Sequence, residues 1–368
     1  MAKRIRLACT AAALVPLALL AAACSSSSST PAASKSSPAA AALNASGKSI
    51  SETGSTLLFP LFGTWQTAYS TANPNVTITS GATGSGTGIA DASEGLVNIG
   101  ASDAYLSASD LEKYPGLLNI PLAVASIQVY YNLPGVKSVN LNGTVLAQIY
   151  TGKITTWNDP AIAKLNPGVS LPSMKIVTLH RADSSGSTFL FTSYLSAQDP
   201  SAWPSSNVGT TITWPSAPGA LAETGSGGMV TGCGGAKGCI AYIGISYVAK
   251  ATAAGLASAA LANKAGKFVQ DTPASVGAAL ASFPAAPASG AEPLINTSAA
   301  TGYPIINYEY AIVKKTQPSA AEASAVKAFL SWILTTGDSA KNLSTVGFVA
   351  LPSATLSKAQ SLVSSIGS

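Results

Sequence analysis

The stretch "KIVTLHRADSSGSTFLFTSYLS", Lys175 to Ser196, reads as three pieces in succession. "KIVTLH" is apolar and partly β-branched, which predicts a strand. "RADSSGS" is built of turn formers, and "TFLFTSYLS" predicts a helix that opens directly from them. A strand that feeds a helix through a short polar turn is the repeating unit of an α/β fold. The turn itself is crowded. Between Arg181 and Phe189 lie one arginine, one aspartate, one glycine and four hydroxyls, those of Ser184, Ser185, Ser187 and Thr188. Orphan N–H groups at a helix start favour an anion, and hydroxyls and a guanidinium add donors and permanent charge.

Similar turns recur upstream. In "TGSTLLFPLFGTWQTAYS", Leu58, Leu61, Phe62, Trp65, Ala68 and Tyr69 fall at the spacing of a buried helix face. Ser55 or Thr56 is the expected N-cap, and Pro60 falls in the first turn, where its missing N–H costs nothing. In "ITSGATGSGTGIADASEG" a short strand around Val76 and Ile78 breaks into Gly81, Gly84, Gly86 and Gly88. A short helix is expected from about Thr87 to Glu94, and Ser85 is the hydroxyl set to face a ligand. "VNIGASDAYLS" predicts a strand that ends at Gly100 and delivers Ser102 and Asp103 at its tip. Any one of these clusters is explained by capping alone. Together they predict an anion site assembled from several helix N-termini.

Asp103 looks out of place beside an anion. An ionised carboxylate only accepts hydrogen bonds, so it fits an anion that still carries a proton and opposes a fully deprotonated one. Hydrogen phosphate satisfies that demand and sulfate does not. Asp183, two residues after Arg181, is expected to pin the guanidinium rather than meet the ligand.

Composition bounds the alternatives. The chain has 368 residues, enough for two globular units, with 47% hydrophobic and 10% charged residues. Past the N-terminus no apolar run approaches the ~20 residues of a membrane span. Lys3, Arg4 and Arg6 lead into "LACTAAALVPLALLAAAC", an export signal over residues 1–23 with the small residues Ala21, Ala22 and Ala23 before Cys24. This predicts a lipoprotein signal with Cys24 lipidated, although the leucine expected three places before the cysteine is Ala21. Without those three bases, 17 basic residues face 15 acidic ones, so no basic patch of nucleic-acid grade is expected.

Residues 24–48 form a Ser/Ala/Pro tract read as a flexible tether. Its closing "SGKS" is not a phosphate-binding P-loop, because Ala42 stands where that motif needs glycine. With Cys9 lost in the signal and Cys24 lipidated, Cys233 and Cys239 remain, and a local disulfide is expected in an exported chain. Two cysteines and the single histidine, His180, make a poor metal set, so neither metal nor cofactor is expected. His180 is also the sole candidate base for a serine nucleophile at Ser185, five residues away, and no catalytic group is assigned.

Taken with "GYPIINYEYAIV" and "IYTGKITTWNDPAIAKLNPG", these motifs resemble the phosphate-binding lipoprotein of the bacterial high-affinity phosphate ABC transporter, in its actinobacterial branch. The resemblance runs from about Gly54 to the C-terminus. It implies a type II periplasmic-binding-protein fold, two α/β lobes joined by hinge strands, with ligand sealed between them. "ASIQVYYNLPG" and "INYEYAIV" are the expected crossings, near residues 125–134 and 305–313. Lobe I would comprise residues 49–130 and 307–368, and lobe II residues 131–306. Carried across by position, the phosphate ligands are Thr56, the backbone N–H of Leu57, Ser85 and Asp103 from one lobe. Arg181, Ser185, Gly186 and Ser187 come from the other, with Asp183 supporting Arg181. Either Ser187 or Thr188 supplies the last hydroxyl. The implied partners are inorganic phosphate, the permease subunits and, through the lipid anchor, the outer face of the cell membrane, with the protein acting as a monomer. The competing readings are a binding protein for another oxyanion such as sulfate and, less favoured, a secreted phosphatase.

Overall fold

The computed structural model describes residues 49–287 and 289–368. The signal segment 1–23, the tether 24–48 and Cys24 lie outside the described residues. The fold is organised by strand β4, Leu117–Tyr131, whose side chains are buried at every position but Leu118. Burial at both odd and even positions belongs to a strand covered on both faces. The first part of β4, as far as Ser126, pairs antiparallel with β8, Ile306–Lys314, while residues 127–131 pair with β7, Cys239–Gly244. One strand thus passes from one half of the sheet into the other.

On the β8 side the order continues through β3 (Ile99–Ser102), β1 (Ser49–Gly54) and β2 (Thr77–Thr79). On the β7 side it continues through β5 (Val177–Arg181) and β6 (Leu221–Glu223). Within each half the outer strands run parallel, β1 with β2 and β3, and β5 with β6 and β7. The central strands β8, β4 and β7 meet antiparallel, and β8 also pairs antiparallel with β3. Two parallel α/β halves sharing a pair of crossing strands is the expected two-lobed α/β architecture. The first crossing begins at Leu117, earlier than position 125, because "LLNIPLA" already pairs in register with β8. Pro121 sits in this central strand without a ladder N–H, and it is accommodated where the register slips between Glu309 and Tyr310.

The helices follow their apolar stripes. Helix α1, Phe59–Ala72, buries Leu61, Phe62, Trp65 and Tyr69 against α5, Ala320–Trp332. Tyr69 meets the Phe329 ring edge-on at 4.9 Å, and Trp65 donates its indole N–H to Gly337 O at 3.0 Å. Leu58 occupies the cap position with no side-chain cap, which corrects the expectation of Ser55 or Thr56. Ser55 nevertheless takes the hydrogen bonds of the Leu57 and Leu58 amides on its Oγ, so it quiets the same helix end from further out. Helix α2 spans Ser85–Glu94, two residues earlier than expected, because Gly84 at φ +97° makes the entry turn and lets Ser85 open the helix. Helix α3, Gly186–Gln198, likewise starts inside the turn. The disulfide joins Cys233 near the end of α4, Gly225–Gly235, to Cys239 at the start of β7, with the Cα atoms 5.3 Å apart. Among the described residues no helix is long and apolar enough to cross a membrane.

Candidate functional site

Where the two halves face each other, four helix N-termini converge. Those of α1 and α2 come from the β1 half, and those of α3 and α4 from the β5 half. Thr56 Oγ1, just before α1, lies 2.8 Å from Ser226 Oγ in the first turn of α4, and it also accepts the Ser226 amide at 3.1 Å. Gly86 in the first turn of α2 donates its N–H to Ser184 O ahead of α3 at 3.2 Å. Each half therefore closes on the other, backbone to backbone.

Glycine makes this approach possible at two positions. A Cβ on Gly186 would come within 2.5 Å of Asp103 Cβ and 2.6 Å of Ser85 Oγ. One on Gly84 would stand 2.5 Å from Ser184 O. Any side chain at either place would hold the halves apart.

Asp103 is at the centre, only 2% exposed. Its Oδ1 accepts from Ser55 Oγ in its own half, and its Oδ2 accepts from Ser187 Oγ at 2.9 Å from the opposite half. Its amide donates to Ser85 Oγ at 3.1 Å, and its carbonyl accepts from Asn307 Nδ2 on β8. Arg181 ends β5 and is buried. Its Nε and Nη2 bind the two oxygens of Asp183, with Nε–Oδ1 at 2.7 Å, and Asp183 Oδ1 also takes the Gly225 amide at 3.0 Å. Burial pushes the Asp183 carboxyl up, but the guanidinium and the Gly225 N–H together outweigh it and hold the group below the ordinary aspartate value.

The structure gathers Thr56, Leu57, Ser85, Asp103, Arg181, Ser185, Gly186 and Ser187, all buried, at this one junction, and Asp183 is bound to the arginine as expected. Some of their donors meet protein partners here. The Leu57 N–H points at Ser55 Oγ at 3.1 Å, and Ser185 Oγ accepts the Thr188 amide as the cap of α3. Thr188 turns its hydroxyl away to Tyr242 OH at 2.7 Å, whereas Ser187 turns toward Asp103.

The sequence reading missed Ser55, Asn307 and Ser226. The sequence marks Ser55 only as a capping residue. Ser226 sits in "TGSGGMV", a hydroxyl- and glycine-rich helix start of the same type as the others, but the strand before it is three residues long and gave no apolar signal. Asn307 lies on a strand read only as a crossing.

His180 stacks on Trp214 with centroids 5.0 Å apart, and burial lowers its pKa. No hydrogen bond joins it to Ser185 among the described residues. No group of three or more histidine, cysteine or acidic residues there could hold a metal ion.

A family model described as a PBP superfamily domain matches residues 29–336. The phosphate-binding protein PstS of Xylella fastidiosa is 32% identical over 306 residues, covering 82% of this chain and 81% of that protein. PstS of Methanocaldococcus jannaschii is 33% identical over 324 residues, with 82% of each chain covered. PstS3 of Mycobacterium bovis is 31% identical over 331 residues, with 87% of each covered. Among solved structures, the phosphate-binding protein of Stenotrophomonas maltophilia aligns with a TM-score of 0.65 at 21% identity, covering 85% of this chain and 93% of that one. A phosphate ABC transporter substrate-binding protein from Clostridium perfringens, described as putative in its own report, aligns at 0.60 and 21%, covering 83% and 100%. Those two likenesses bear on the fold, and the sequence relatives bear on the family. The chain belongs to the PBP superfamily and, within it, to the phosphate-binding proteins of the PstS family, built on the type II periplasmic-binding-protein fold.

Proposed function

We propose that the protein captures inorganic phosphate outside the cell membrane and delivers it to the permease of an ABC transporter. The observation that carries this reading is the junction at Asp103, where one buried carboxylate is met by hydroxyls from both halves amid four helix N-termini. Thr56, Leu57 through its N–H, Ser85 and Asp103 would hold the anion from lobe I. Arg181, Ser185, Gly186 and Ser187 would hold it from lobe II, with Asp183 keeping the guanidinium flat and oriented. Ser187 rather than Thr188 is the hydroxyl for the site, since Thr188 is engaged by Tyr242.

The Ser55 and Ser187 protons that rest on Asp103 can rotate to a bound anion, which frees Asp103 to accept the ligand's own O–H. Positive character comes from helix ends and Arg181, negative from Asp103, so recognition rests on matched donors and acceptors more than on net charge. The lobe limits are 49–130 plus 307–368 and 131–306, with residues 127–130 of β4 reaching across to pair with β7. Anchoring through Cys24, a monomeric state and docking on the permease complete the proposal. A catalytic role is not part of it, since Ser185 is a helix cap and His180 is stacked on Trp214.

Calorimetric titration of the mature chain with phosphate and with sulfate at about pH 7 to 8 tests it. Tight phosphate binding with little sulfate binding is the expected result. Equal affinity for both anions would sink the reading, and hydrolysis of phosphate esters lost on Ser185→Ala would replace it with an enzyme.

A further inference from the structure

Behind Asp103 lies a second carboxyl with no described partner. Glu309 sits on the crossing strand β8, two residues from the Asn307 whose amide holds the Asp103 carbonyl. It is 0% exposed, and neither of its carboxyl oxygens receives a hydrogen bond. Tyr310 pairs with Ser102, which sets Glu309 opposite Asp103 across the neighbouring strands, and the two carboxyls interact. Two buried carboxylates at that separation cannot both be ionised, so one proton belongs to the pair.

The donors decide which residue holds it. Asp103 receives the hydroxyls of Ser55 and Ser187 on its two oxygens, which favours the ionised form. Glu309 receives nothing, and a buried charge without donors is the costlier one to keep. Burial, and after it the proximity of Asp103, hold the Glu309 carboxyl well above the ordinary glutamate range.

We propose that Glu309 is a positioning residue for the anion site, holding a proton and donating it to Asp103 so that Asp103 stays ionised beside a bound anion. The inference rests on the phosphate reading given above and adds a residue to its specificity. A protonated Asp103 would be a donor and would welcome a fully deprotonated anion. With the pair's one proton kept on Glu309, Asp103 offers the ligand acceptors only.

The other groups around Glu309 do not supply a competing charge. Tyr310 is its neighbour on β8, and Ala123 faces it across β4. Helix Pro273–Leu280, which packs on β8, has no titratable residue. Asp91 and Glu94 of α2 are half-buried and exposed, and they do not act on Glu309.

The test uses the mature wild-type chain, Glu309→Gln and Glu309→Leu. Wild-type-minus-variant infrared spectra through a pH titration should show one protonated-carboxyl C=O band that both variants lack, the buried carboxyls of Glu52 and Asp338 cancelling in the difference. Glutamine keeps a neutral donor toward Asp103, so Glu309→Gln should retain the phosphate-over-sulfate preference. Leucine removes the donor, and the preference should narrow by about tenfold or more. A wild-type-minus-Glu309→Gln spectrum without a protonated-carboxyl band would overturn the proposal, as would an unchanged phosphate-to-sulfate ratio in Glu309→Leu. If the wild type bound no phosphate, the ligand reading would fall first, while the infrared band would still decide where the proton resides.

Discussion

Asp103 and Asp183 face each other's halves of the same cleft and have opposite neighbours. Asp183 is tied to the Arg181 guanidinium by two hydrogen bonds and to the Gly225 amide by a third. None of these donors can turn away without leaving a buried charge unpaired. Asp103 accepts on its carboxyl oxygens from the hydroxyls of Ser55 and Ser187, and a hydroxyl proton rotates freely to a new acceptor. The same side chain is thus fixed scaffolding in one half and an exchangeable acceptor in the other. Partner type, more than burial or position, separates the carboxylate that shapes the site from the one that can read a ligand.

Three substitutions try that distinction. Arg181→Ala should have the largest effect. It removes the permanent charge and strands Asp183 in a nearly closed site, so phosphate affinity should fall by roughly a thousandfold or more, corresponding to about 4 kcal/mol. Isothermal titration reads this directly, and a loss under tenfold would show that the helix ends do the holding alone. Asp183→Asn should be milder, about ten- to a hundredfold, because the guanidinium keeps its charge but loses its fixed orientation. An unchanged affinity would make Asp183 a mere surface of the turn. Asp103→Asn should cost phosphate little, since the amide can still accept an O–H. Its N–H can donate to sulfate, so the preference should narrow by about tenfold or more. If Asp103→Asn lost phosphate as badly as Arg181→Ala, the two carboxylates would be equally structural and the contrast would fail.

The sequence made much of this legible for a local reason. Strand, polar turn and helix follow within some twenty residues at Lys175–Ser196, so the placement of Arg181, Asp183, Ser185 and Ser187 needs no distant information. The apolar stripe of α1 and the strand ends before Ser85 and Asp103 are equally local, and Cys233 pairs with Cys239 as expected. What stayed hidden is whatever depends on which strand lies beside which. Glu309 and Asn307 read as part of a β-rich run, and only the antiparallel pairing of β8 with β3 sets them against Asp103. Ser226 required knowing that α4 meets α1 across the cleft. Helix starts shifted by two residues wherever glycine could make the entry turn, since such residues satisfy loop and helix patterns alike.

The same contrast extends to a carboxyl with no role in the site. Glu52 on β1 is 3% exposed, and neither oxygen has a hydrogen-bond partner. Burial pushes its pKa from 4.5 up to about 8. The group is neutral in the folded chain over a range in which the unfolded chain ionises it. Its contribution to stability is therefore complete below about pH 4.5, declines as pH rises and is exhausted above about pH 8. Asp338, raised from 3.8 to about 8 with Oδ1 unpaired, adds a decline of the same sign.

Glu52→Gln is neutral at every pH, so denaturant unfolding should find it close to the wild type near pH 4 and more stable near pH 8. Each pKa unit is worth about 1.4 kcal/mol, which caps the gain at several kcal/mol, and the Asp338 slope should remain in the variant. Phosphate affinity should not move, because Glu52 lies along β1 while the cleft opens beyond its far end at Ser55. A variant that weakened phosphate binding would make Glu52 part of the site. One that left the pH slope intact would show that Glu52 finds its charge a partner.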